Sequence, residues 1–313
     1  MKALQYNQYG GTDVLQWHDV ERPSPGPDQV VVAVHAASIN PTEAKIRRGE
    51  LHFPGPDQFP KGMGMDFAGI ITQVGEDVSQ FKIGDSVMGY VGANASSLAE
   101  FTLADVQNTF LVPGNLSFAE ATTLPMNAAT ALKVVNTYLK PMPGKTILVN
   151  GAAGGIGLFV VQYCRQAGAV VTGTASGDEG LHTLESLGLD QVVDYKTTDI
   201  WQSGRTFDAI LDMSGKLDFE QAKNSLTATG EFSTMAPKGD PRQPGRTDGN
   251  RKENLVFAVP GPDEFAASQA MAAAGTIRTF VSQRFPMQDA IRAMQLVESG
   301  QLAVVGKVVL VAE

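Results

Sequence analysis

The chain has 313 residues, of which 43% are hydrophobic and 18% charged, with a formal net charge of −9. That length suits about two domains with ample core, and the acidic balance argues against nucleic acid as a partner, because phosphate backbones are bound by clustered Lys and Arg. A single cysteine, Cys164, leaves no intramolecular disulfide and suits a reducing, cytoplasmic setting; the start, MKALQYNQYGGTDVLQW, has no apolar signal core, and no later run is long enough to span a bilayer, so no membrane partner is expected.

Residues 1 to 122 read as short strands with frequent turns. Val30–Val34 is a β-branched run after the turn PSPGPDQ, Asp66–Gly75 is a strand ending in glycine, and Phe81–Gly89 is a turn into a further strand. This spacing predicts a compact, partly closed β domain. From 123 to 276 the rhythm changes. Ala128–Leu139 has helical spacing and ends at Lys140-Pro141, and strands then alternate with helices at 147–150, 170–174, 192–195, 209–213, 231–235 and 255–259. Alternation of this kind predicts a parallel sheet wrapped by helices, and six strands match a doubly wound dinucleotide fold.

The stretch Ile147 to Gly157 organises the second domain. An apolar strand stops at Gly151-Ala152-Ala153-Gly154-Gly155-Ile156-Gly157, which feeds a helical pattern. A pyrophosphate must approach backbone N–H groups at a helix N-terminus, and side chains there would block it. The fingerprint G-x-G-x-x-G falls on Ala152, Gly154 and Gly157, with alanine for the first glycine. Cys164 lies within the following helix beside Val160, Val161 and Tyr163, as a core residue would. Residues 238–253, KGDPRQPGRTDGNRKE, read as a long flexible loop, either a lid or a solvated insertion. The tail is a helix stopped by Gly300 and then a strand.

Taken together, Asn40-Pro41-Thr42-Glu43-Ala44-Lys45-Ile46-Arg47, Gly64-Met65-Asp66-Phe67-Ala68-Gly69, Gly84-Asp85-Ser86-Val87, Leu124-Pro125 with Thr130-Ala131, and the Gly151–Gly157 turn resemble the medium-chain dehydrogenase/reductase superfamily, in its zinc-independent quinone oxidoreductase (zeta-crystallin-like) branch. The similarity runs nearly end to end. It implies an α/β protein with a doubly wound parallel Rossmann sheet (123–276) plus a GroES-like mostly-β domain (1–122, rejoined by 277–313), a substrate cleft between the domains, and a homodimer. Zinc-dependent relatives hold their metal with cysteine and histidine. Here the matching positions are Asn40 and Met65, the four-cysteine lobe is missing, and His18, His35, His52 and His182 lack ligand spacing, so no metal is expected.

The resemblance further implies reduction of quinones or of the C=C bond of α,β-unsaturated carbonyls by a nicotinamide cofactor. Without a metal, the protein itself must supply donors to the developing oxyanion and a proton. Asn40 and Lys45 are the candidate donors, with turn formation and a solvated helix face as their ordinary alternatives. Tyr90 is a weaker candidate proton donor, and Thr130 matches a position near the nicotinamide. No acid ends the second strand; Asp178 comes later, while Ser176 and Tyr195 suit a 2′-phosphate, so NADPH is expected and NADH is not excluded. The cation that NADPH-dependent relatives often carry nearby is replaced by Gly180, leaving Arg242, Arg246 and Arg251 as possible substitutes. Two further readings stay open: an enoyl-thioester reductase, and a non-catalytic NADPH-binding sensor or structural protein.

Overall fold

A computed structural model describes residues 1–52, 58–92, 96–236, 244–302 and 304–312. The chain divides into two compact units, Met1–Met126 with Phe265–Glu313, and Asn127–Glu264.

The second unit is a seven-stranded sheet. Its order is Gln191–Asp194, Val170–Ala175, Thr146–Asn150, Phe207–Asp212, Leu226–Thr234, Arg251–Leu255 and Thr247–Asp248, with only the last strand antiparallel. Ile147, Leu148 and Val149 are all fully buried, as in a strand covered on both faces. The helix Gly155–Gln166 covers this strand and buries Leu158, Phe159, Val160, Val161 and Cys164. The expected doubly wound sheet is therefore present, and its winding reverses between Thr146–Asn150 and Phe207–Asp212. The segment 124–139 is helical throughout, with π-helical turns at Leu124–Ala128 and Val135–Leu139. It ends where Lys140 adopts a left-handed φ of 44°.

Two expectations need correction. The sixth parallel strand is Arg251–Leu255, not 255–259. The apolar run at 255–259 looked like a strand, yet Phe257 and Val259 are exposed, and the ladder partners of Glu231–Thr234 are Lys252–Leu255. For the same reason the expected loop 238–253 is structured in part, since Thr247–Asp248 folds back on Arg251–Leu255. Residues 238–243, and with them Arg242, lie outside the described residues.

The first unit is mostly β. Six strands run in the order Val281–Pro286, Lys307–Val311, Gln29–Ser38, Asp66–Val74, Ser86–Tyr90 and Thr109–Leu111, and Phe101–Asp105 also pairs with Gln29–Ser38. The C-terminal strand lies antiparallel to the end of Gln29–Ser38, pairing Val309 with Ser38. A three-stranded sheet, Gln16–Asp19, Lys2–Tyr6 and Lys61–Gly62, shares a core with the helix Ala290–Glu298 through Leu4, Tyr6, Ala290 and Met294. The short helix Pro41–Arg47 begins with proline at its first position, where no N–H is needed.

Candidate active site

In an open α/β sheet, ligands bind beyond the carboxyl ends of the strands where the winding reverses. That point lies between Asn150 and Asp212, the last residues of their strands. Gly151 turns the chain with φ 81°, a left-handed value that glycine adopts without strain. Gly154 caps the helix Gly155–Gln166, whose first-turn N–H groups at Gly155, Ile156 and Gly157 have no intrahelical acceptor. A Cβ on Gly157 would sit 2.6 Å from the Ala152 carbonyl oxygen, so helix and turn approach as closely as glycine allows. Ala152 is fully buried and takes no space from the turn's outer face. The result is a cradle of N–H donors at the positive end of a helix dipole, suited to a phosphate.

A polar network that no sequence motif announces fixes this turn. Thr174 Oγ1 accepts from Gly151 N at 2.9 Å and donates to Asn150 Oδ1 at 2.8 Å. Asn150 Nδ2 donates to Asp212 Oδ1 at 2.9 Å, which also accepts from Ser214 Oγ at 2.6 Å and Ser214 N at 3.0 Å. Asp212 is fully buried, and its Oδ2 has no partner among the described residues. The available signal was local: Asn150, Thr174 and Asp212 are polar residues at or near the ends of buried apolar strands.

Ser176 and Tyr195 meet at the end of the second strand. Ser176 Oγ donates to Tyr195 Oη at 2.7 Å, and Tyr195 is 55% exposed. The first acid, Asp178, begins the next helix and is also exposed. Arg246 and Arg251 are committed elsewhere. The Arg246 guanidinium binds Glu253 and Asp218, and Arg251 Nε donates to the carbonyls of Leu226 and Thr227. Arg246, held through all three nitrogens, is not free to serve as the 2′-phosphate cation suggested by the sequence, whereas Arg251 is held through Nε and a 3.6 Å ion pair to Asp248. In the helix Ala129–Val134, which packs on Gly155–Gln166, Thr130 Oγ1 is buried without a partner among the described residues. Asn127 Nδ2, one turn earlier, is in the same state. Each such atom costs about 1–3 kcal/mol while unsatisfied, so both fit a unit that takes a polar ligand.

In the first unit, Asn40, Glu43, Asp66 and Lys307 form a buried charged cluster. Asn40 Nδ2 donates to Glu43 Oε1 at 3.0 Å and to Asp66 Oδ2 at 2.8 Å. Lys307 Nζ donates to Asn40 Oδ1 and, at 2.8 Å, to the Ile39 carbonyl. Asp66 also accepts from Ser38 Oγ at 2.6 Å and Met126 N at 3.0 Å. Glu43 Oε1 accepts from Met65 N at 2.9 Å, while Oε2 is buried without a partner among the described residues. Burial raises the Glu43 carboxyl to about 7, against the opposing pull of the Asn40 bond and the Lys307 charge. Burial also raises Asp66 and lowers Lys307.

The sequence-derived donors therefore separate. Both N–H bonds of Asn40 are occupied by carboxyls, so it has none free for an oxyanion, contrary to expectation. Lys45, on the same helix, is exposed. Tyr90 is half-buried and stacks on Phe265 with ring centres 6.5 Å apart. Burial, with the charges of Asp66 and Glu43, pushes its phenol up to about 12, so it remains a protonated donor at neutral pH. At the positions that match zinc ligands in relatives, the Asn40 amide is fully bonded and Met65 is 2% exposed. Zinc takes thiolate, imidazole or carboxylate ligands, so this amide–thioether pair does not suit it. Among the described residues, no group of three His, Cys, Asp or Glu side chains is placed to hold a metal.

Comparison with known proteins agrees with this architecture. A family model described as an alcohol dehydrogenase GroES-like domain matches residues 26–134, and one described as a zinc-binding dehydrogenase matches residues 187–310. A chloroplast quinone-oxidoreductase homolog of Spinacia oleracea is 33% identical over 248 residues, 76% of this chain and 75% of that protein. A chloroplast NADPH-dependent alkenal/one oxidoreductase of Arabidopsis thaliana is 36% identical over 229 residues, 70% of this chain and 58% of that one. A mycobacterial protein solved in complex with NADPH is 26% identical, with a TM-score of 0.82 over 99% of this chain and 100% of that one.

Proposed function

Since the chain belongs to the quinone oxidoreductase branch of the medium-chain dehydrogenase/reductase superfamily and is an oxidoreductase, we propose that it uses NADPH, without zinc, to reduce quinones or the C=C bond of α,β-unsaturated carbonyls. The observation that carries the cofactor choice is the Ser176–Tyr195 hydroxyl pair. It stands at the end of the second strand, where a carboxylate would select the free 2′-hydroxyl of NADH. With the Ser176 hydroxyl donating to Tyr195 Oη, the exposed Tyr195 hydroxyl is left to donate to a 2′-phosphate, which a carboxylate would repel.

In this reading the N–H groups of Gly155, Ile156 and Gly157 hold the pyrophosphate. The Asn150–Thr174–Asp212 network keeps that turn in place, and Thr130 with Asn127 offers polar partners for the nicotinamide end. Bound NADPH supplies the hydride equivalent. The Lys45 ammonium offers positive charge to the oxygen on which negative charge develops. The Tyr90 hydroxyl, protonated well above neutral pH, offers a hydrogen bond or a proton. Asn40 has a different task, holding two buried carboxyls.

The test is the rate of NADPH and NADH oxidation with a naphthoquinone and a small enone, using chelator-treated wild type and the S176A/Y195F double variant. The expected result is turnover that survives chelation and favours NADPH, and an NADPH affinity that falls about tenfold in the variant while NADH is unaffected; tenfold corresponds to about 1.4 kcal/mol, the scale of one hydrogen bond to a charged group. A preference for NADH would refute the cofactor choice. Tight NADPH binding without turnover on any acceptor would refute the reductase.

A further inference from the structure

Lys307 is 4% exposed, and a buried ammonium is tolerated only where oxygen atoms replace its water. Here the Ile39 carbonyl and Asn40 Oδ1 do so, although they lie 268 and 267 residues away in the chain. The Asn40 amide is thus held from both ends. Its oxygen faces a cation, and its nitrogen faces the carboxyls of Glu43 and Asp66. Turning the amide over would set its N–H groups against the ammonium and its oxygen against two carboxyls, so only one orientation is compatible with the cluster. Asn40 is also the residue from which the helix Pro41–Arg47 starts, and that helix carries both Glu43 and Lys45. The negative charges that act on Tyr90 are those of Asp66 and Glu43, the two groups that Asn40 binds.

We propose that Lys307 is a positioning residue: acting through the Asn40 amide, its ammonium holds Glu43, Asp66 and the start of the Lys45 helix in the arrangement that the reductase reaction uses. This rests on the reductase reading above. Lys307 touches neither Lys45 nor Tyr90 in any hydrogen bond of the described residues, so its effect reaches them through Asn40 and the carboxyls.

Truncation to alanine removes three methylenes and the ammonium, which together correspond to a propylammonium ion. The experiment compares wild type, K307A, N40A and N40A/K307A for kcat with NADPH and a naphthoquinone, for NADPH affinity, and for thermal midpoint, each with and without propylammonium or propanol. In K307A, kcat is expected to fall about tenfold with NADPH affinity within about twofold of wild type. Propylammonium restores kcat several-fold, propanol does not, and the double variant is no slower than N40A and gains nothing from the amine. If the amine raises the thermal midpoint of K307A but leaves kcat low, Lys307 is structural only and the proposal is overturned. It is equally overturned if the two losses multiply in the double variant. Should K307A not fold, K307M keeps the length and loses the charge, and the same comparison with N40A decides. Wild type that reduces no acceptor would overturn the reductase reading and the catalytic part of this proposal. The linkage of Lys307 to Asn40 would then be decided by the midpoint alone, through an amine effect in K307A that is absent from N40A/K307A.

Discussion

Glu43 places a buried, only partly compensated acid in the first unit, and replacing it by glutamine measures what that burial costs. Burial raises its carboxyl from 4.5 to about 7, although the Asn40 bond and the Lys307 charge oppose the shift. Between those values the folded protein keeps a proton that the unfolded chain has released. Stability is therefore greatest below pH 4.5 as far as this group is concerned, and falls as pH rises through about 7. At about 1.4 kcal/mol per pK unit, the loss is about 3 kcal/mol, complete above pH 8. Glutamine is nearly isosteric with the protonated acid, and its oxygen can accept the same bonds from Asn40 Nδ2 and Met65 N. Glu43→Gln is accordingly expected to match wild type within about 1 kcal/mol at pH 5 and to exceed it by about 2 kcal/mol at pH 8.5. The assay is urea unfolding from pH 5 to 8.5, followed by the fluorescence of Trp17 in a Trp201→Phe background. Trp17 packs against the core of the first unit and reports on it alone. Parallel pH curves for the two proteins would refute the reasoning, because Glu43 would then be ionised and compensated in the folded state.

Other outcomes follow from the same geometry. Gly157→Ala sets a methyl 2.6 Å from the Ala152 carbonyl oxygen, so backbone must shift; a destabilisation of about 1–3 kcal/mol and a loss of NADPH affinity are expected, and unchanged affinity in a titration would contradict the cradle. Arg246→Ala leaves Glu253, whose side chain is 6% exposed, without its main partner, while Arg246 itself is 47% exposed. Solvent screening limits the expected loss to about 1–2 kcal/mol in thermal unfolding, with NADPH affinity unchanged; a fall in affinity would return Arg246 to the cofactor site. Cys164 is fully buried, and burial pushes its thiol up to about 12. A maleimide at pH 8 should label it only after denaturation, and rapid labelling of the native protein would contradict its packing.

Much of the second unit was legible in the chain because its signals are local. The run Ile147-Leu148-Val149, the turn Gly151–Gly157 and the apolar face of Gly155–Gln166 lie within twenty residues of one another, and each is dictated by burial or by the space a Cβ needs. The one misplaced strand shows the limit of that logic. The run at 255–259 has the composition of a buried strand, but pairing with Glu231–Thr234 was won by Lys252–Leu255, a segment in which three of the four residues are polar or charged.

The candidate site divides in the same way. Ser176 and Tyr195 could be named from their places after two successive strands, and the structure brings their hydroxyls together because those strands are neighbours. Asn40 was named from its motif, yet its role was not readable there. Its amide is committed by Asp66 and Lys307, which reach it from two other strands. The sequence by itself determined the periodicity of strands and helices, the glycine turn and the residue types at its edges, since these follow from contacts between near neighbours. Only the tertiary structure decided which polar groups find partners. A hydrogen bond between residues 267 apart leaves no trace in local pattern, and whether a buried donor is free or occupied depends entirely on what the rest of the chain lays beside it.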